Sequence, residues 1–109
     1  MGYRSDVHIA ITKRALTTLT VAGYDVGILS KLSVSNTTHN HYIHYYMENL
    51  KWYDMFQDVQ SVNSLFDFLQ DNGDEAEYAF VRFGEDFDDT EVSGDYWEFF
   101  ALSRSADPI

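Results

Sequence analysis

A chain of 109 residues with 45% hydrophobic and 17% aromatic content is long enough for one core but not two, and too apolar to remain disordered. The absence of cysteine excludes disulfides, thiolate metal sites and thiol nucleophiles. A net charge of −11 disfavours direct binding to nucleic acid or anionic lipid, both of which depend on Lys and Arg displacing counterions.

The charge is unevenly spread. Residues 1–53 carry three acids against five bases, whereas residues 54–109 carry fifteen acids against Arg82 and Arg104 alone. By the same electrostatic logic, the second half is drawn toward basic surfaces. The start, "MGYRSDVHIAI", has Arg4 and Asp6 early with no long apolar run behind them, so no signal peptide is expected there. No stretch approaches the length of a membrane span. A soluble protein of the cytosol is the simplest expectation.

In chain order, Tyr3 to Ile11 alternates, with Val7, Ile9 and Ile11 on one face and Arg4, Asp6 and His8 on the other, the period of a half-buried strand. Thr12 stands at a helix N-cap position, and Ala15, Leu16, Leu19 and Ala22 recur at helical spacing until Gly23. Tyr24 to Leu32 extends or restarts that helix, and "SVSNTTHN" reads as a polar connection. The aromatic run "HYIHYYMENLKWY" predicts a strand with rings on both faces, hence a central one. Asp54 or Asp58 then caps a helix whose Val59, Val62, Leu65, Phe66 and Leu69 form one stripe, stopped at Gly73. "EYAFVRF" and "YWEFFALS" read as two more strands joined by the acidic stretch "GEDFDDTEVSGD", a long loop. With no repeat and no linker, the order predicts a single α+β domain over residues 1–109. In it, two main helices pack on one face of a four-stranded, largely antiparallel sheet.

The acidic stretch is tested first against carboxylate chemistry. Counted from Asp86, an EF-hand loop would need an acid at position five, glycine at six and glutamate at twelve. The chain has Thr90, Glu91 and Trp97 there. A looser calcium or magnesium cage within residues 85–91, built on Asp86, Asp88 and Asp89, remains as an alternative, and so does a zinc site using His39 and His41. Paired-carboxylate catalysis needs acids on rigid elements flanking a cleft. Here they crowd one loop, so an enzyme is not expected and no cofactor is implied. The aromatics Tyr78, Phe80, Phe83, Trp97, Phe99 and Phe100 lack the positive groove of a single-strand binder and read as core residues, with a few as exposed anchors for a protein.

"MGYRSDV", "KWYDMFQDV" and "FVRFGEDFDDTE" together resemble a group of small acidic accessory proteins of tailed bacteriophages, across most of the chain apart from residues 12–40. The resemblance carries no catalytic residue. It implies a setting, the cytoplasm of a bacterial host, and a role in binding and inhibiting or modulating a host or defence protein, in some cases through a DNA-like surface. Carboxylates at i and i+2 of a strand lie about 6.6 Å apart. Rows such as Asp74, Glu75 and Glu77, or Asp86, Asp88 and Glu91, would therefore imitate a phosphate chain if they converged on one face. The expected partner is a bacterial protein with a basic surface. Glu85, Asp86, Asp88, Asp89 and Glu91 are its contacts, with Tyr96 and Trp97 as apolar anchors beside them. A self-associating structural protein, with aromatic strands pairing between copies, is a further alternative.

Overall fold

A computed structural model describes residues 4–53, 55–86 and 88–100. Strand β1 (Ser5–Thr12) lies in the middle of an antiparallel sheet, hydrogen-bonded to β3 (Tyr42–Leu50) on one side and β4 (Tyr78–Phe83) on the other. Edge strand β2 (Ser35–Thr38) pairs with β3, and edge strand β5 (Thr90–Gly94) with β4, giving the order β2-β3-β1-β4-β5. The α+β class and antiparallel sheet agree with the sequence reading, but there are five strands rather than four. The two strands not foreseen, β2 and β5, are both edges. β2 is "SNTT", exposed throughout, and pairing through the backbone alone needs no apolar face to announce it.

Helix α1 (Lys13–Val21) starts where Thr12 was expected to cap it, its hydroxyl accepting the Ala15 N–H at 3.0 Å. After Gly23, which takes a φ of +92°, a separate short helix α2 (Gly27–Leu32) follows. The long helix α3 (Gln57–Asp71) buries all five residues of its expected stripe, and Gly73, at φ +79°, follows its last turn. Its N-cap is Phe56, which offers no capping side chain; Asp58 lies in the first turn, and Asp54 falls outside the described residues.

All three helices pack on one face of the sheet, where Val7, Ile9 and Ile11 of β1 meet Leu19, Leu29, Leu65 and Leu69. Aromatic rings close this layer: Phe66 stacks on Tyr78 with centroids 4.6 Å apart, and Phe80 lies 5.5 Å from Phe66. The opposite face is also covered. "YWEFFALS" is not a strand over its described residues; Tyr96–Phe99 is a short helix, α4, and Phe99 and Phe100 lie over Ala10, Tyr42, Ala79, Val81 and Phe83. β1 is therefore buried on both faces rather than half-buried, because an aromatic pair that suits a strand serves here as a lid. Among the described residues, no helix is long and apolar enough to cross a membrane.

Candidate interaction surface

The acidic stretch is a hairpin rather than a long loop. Phe83 pairs with Thr90, so only residues 84–89 connect β4 to β5, and the turn is closed by Gly84 N–H to Asp89 O at 2.8 Å and Asp89 N–H to Asp86 O at 3.0 Å. Glu85, Asp86 and Asp88 are exposed at its tip.

Asp89 and Glu91 are engaged differently. Arg82, opposite Glu91 in the ladder, donates from Nη2 to Asp89 at 2.9 Å, from Nε to Glu91 at 3.0 Å and from Nη1 to Ser5 Oγ at 2.9 Å. Burial of the guanidinium opposes its charge, but the hydrogen bonds and negative charges of Asp89 and Glu91 together outweigh it and hold the Arg82 pKa above the ordinary arginine value. Two of the five expected contact acids thus serve as a clamp on the hairpin.

Tyr96 and Trp97 follow the far end of β5, about 13 Å of strand away from Thr90 by the rise per residue. Trp97 is 65% exposed and its ring lies 4.9 Å from that of Tyr96, so it stands clear of the core, but the structure places it away from the hairpin tip. Nor do the acids form extended rows. Glu75 and Glu77 lie in a single 3-10 turn, and Asp86 and Asp88 in the hairpin turn, so the i, i+2 spacing of a strand does not apply to them.

Strand order nevertheless keeps the charge lopsided. β2, β3 and β1, drawn from residues 5–50, fill one side of the sheet, while β4 and β5 fill the other. α3 packs with its Phe66 on Tyr78 of β4, so its Asp67 and Asp71 join the acidic side. Asp67 and Glu91 line a cleft of about 410 Å³ between α3 and β5, together with Asn63, Gln70 and Ser93. Arg14, at 4.0 Å from Glu77, and Arg82 form ion pairs with acids of this side.

Of the four histidines, two lie in a turn and two in the sheet. His39 and His41 lie in the turn between β2 and β3 and both pack on Tyr42, His39 stacked at 4.4 Å and His41 edge-on at 5.3 Å. Among the described residues, no three His, Asp or Glu side chains come together in a way that would hold a metal ion. The pair that does form is His8 and His44, Nδ1 to Nε2 at 3.0 Å, beneath Phe100. Alternation puts each on the second face, but only the register, Ala10 opposite His44, brings the rings together.

No family model matches the chain, and no curated protein or solved structure matches it either.

Two phenols of β3 carry a pH signature. Burial raises the Tyr45 pKa, which a Ser30 hydrogen bond offsets only in part; burial first, then the charges of Asp6 and Glu48, raise that of Tyr46. The fold therefore favours the neutral phenols. Their contribution is complete below the ordinary tyrosine pKa of about 10 and is lost as pH rises through the higher folded values, because the unfolded chain releases these protons first. Phenolate absorbance should show a component from Tyr45 and Tyr46 above the ordinary tyrosine range, with denaturant resistance falling above about pH 10. Replacement of both by Phe should remove the late component. If it persists, other tyrosines supply it.

Proposed function

We propose that this protein is a non-enzymatic interaction module that docks its acidic side, centred on the β4–β5 hairpin, against a basic surface of another protein. The observation that carries this reading is the segregation of charge by strand order, with Arg82 holding the hairpin so that Glu85, Asp86 and Asp88 project from a fixed turn. The resemblance to small phage accessory proteins supports a bacterial partner, inhibited or modulated in the host cytoplasm. A partner that itself grips nucleic acid has the required basic face. Trp97 supplies an exposed anchor at the other end of β5.

Capture from bacterial lysate tests it. A protein retained by the wild type at low salt should be lost at high salt and lost also with Glu85→Gln, Asp86→Asn and Asp88→Asn combined, an effect of about tenfold or more on association. Retention that is indifferent to salt and to the triple substitution defeats the electrostatic reading.

Arg82→Met separates geometry from charge. It makes the chain more negative while releasing Asp89 and Glu91, and should cost about 1–2 kcal/mol of stability, given the partial exposure of the pairs. Binding should weaken, as measured by titration against the captured partner, because the clamp is gone. Tighter binding would mean that net charge alone matters.

A further inference from the structure

An apolar cavity lies at the opposite end of β3 from its turn with β2. Leu32, Leu50, Trp52, Met55, Phe56 and Val59 wall a cavity of about 540 Å³ where the end of β3 passes the first turn of α3. This falls within the range of about 300–1,000 Å³ common for small-molecule sites, which are mainly apolar with a few placed polar groups. Met55 is 77% exposed and Phe56 39%, so apolar surface remains open to solvent at the mouth.

The charges described at this cavity differ in sign from those of the acidic side. Among the described lining residues, Arg4 and Lys51 stand against one acid, Asp58. Arg4 is also held in place. Its Nη1 donates to the Asn49 carbonyl at 3.2 Å, and Asn49 adopts a left-handed φ of +58° with its own N–H donated to Asp6 Oδ1 at 2.9 Å. This local bend, beside the register shift between Ser5 and Val7, presents Arg4 at the edge of an apolar space.

We propose that the cavity is a binding site for an amphiphilic carboxylate, with the aliphatic or aryl body against Leu50, Trp52 and Val59 and the carboxylate paired to Arg4 and Lys51. The charge complementarity selects the head group. A guanidinium takes a carboxylate in paired hydrogen bonds, whereas a cationic amphiphile would meet Arg4 and Lys51 with like charge. A neutral one would gain only burial. The site meets the acidic side only through Arg4, which also borders a small pocket with Asp6 and Glu85; Lys51 and the apolar wall lie outside the docking contacts, so failure of the site would leave the interaction reading untouched.

Trp52 reports occupancy directly once Trp97→Phe has removed the other tryptophan. In that background, decanoate should change Trp52 emission saturably with one equivalent bound by calorimetry. Decanol should bind about tenfold more weakly and decyltrimethylammonium more weakly still. Arg4→Gln with Lys51→Gln should lower decanoate affinity about tenfold, to the level of decanol, while leaving decanol unchanged. Both side chains are exposed, so this variant keeps the fold. Leu32→Trp, which fills the space, should abolish binding of every probe. The proposal is overturned if decanoate shows no saturable binding below its micelle concentration, or if decanoate and decyltrimethylammonium bind alike. It also fails if the double glutamine variant binds decanoate as the wild type does, or if sedimentation shows that a second copy of the chain occupies this face and excludes the probes.

Discussion

Gly94→Ala should destabilise the protein by about 2–5 kcal/mol, from left-handed strain of about 1–2 kcal/mol and overpacking of about 1–3 kcal/mol. Gly94 holds a φ of +71° at the end of β5, opposite Ala79. An added Cβ would press inside the contact distance of the Tyr78 carbonyl oxygen and stand 2.9 Å from Tyr78 Cε2. Neither neighbour gives way easily. The carbonyl accepts the Asp95 N–H at 2.9 Å, and the ring is fully buried against Phe66. Gly23 and Gly73 provide the control, since both have positive φ but nothing within 4 Å of a new Cβ. Alanine at either should cost only the backbone strain, about 1–2 kcal/mol. At about 4–8 °C of melting temperature per kcal/mol for a domain of this size, the Gly94 variant should melt at least about 8 °C lower, and lower than either control by the overpacking it alone suffers. Equal shifts at all three positions would show that β5 does not approach Tyr78 this closely.

The same glycine marks the limit of what the sequence made legible. Where burial is one-sided and the element long, the pattern was sufficient: the α3 stripe, its stop at Gly73 and the Thr12 cap all appear as expected. Elements whose identity rests on a partner were not readable. β2 has no apolar face, and β5 was hidden by its acids because Thr90–Gly94 forms a strand through its ladder with β4, not through its own composition. Phe99 and Phe100 suit a strand locally, but tertiary packing uses them to cover His8, Ala10 and His44.

The candidate surface divides in the same way. The charge asymmetry between halves of the chain was visible, and strand order turns it into two sides of a sheet. The diversion of Asp89 and Glu91 to Arg82 was not visible, since it depends on Arg82 standing opposite Glu91 in a hairpin register that a long loop would not have. His39 and His41 illustrate the reverse error. Their spacing suits a strand face, but they occupy a three-residue turn, residues 39–41, where both rings lean on Tyr42.

Phe66→Ala should show that stability and the interaction surface are separable. Phe66 is 4% exposed, and its ring bridges α3 to β4 through the Tyr78 stack and the nearby Phe80. Truncation removes that contact and leaves a void beneath α3, a loss of about 3–5 kcal/mol. Phe66→Leu retains most of the volume and should lose less than about 1.5 kcal/mol. Against a typical reserve of about 5–15 kcal/mol, the alanine variant should unfold at markedly lower urea, with a midpoint shift and little change in slope. The hairpin turn and the Arg82 clamp share no hydrogen bond with Phe66, so the fraction that remains folded should keep its salt-sensitive binding. An unchanged urea midpoint would mean that the ring does not join α3 to the sheet. Binding lost in proportion beyond the unfolded fraction would mean that α3, through Asp67 and Asp71, contributes as much to the docking surface as the hairpin does.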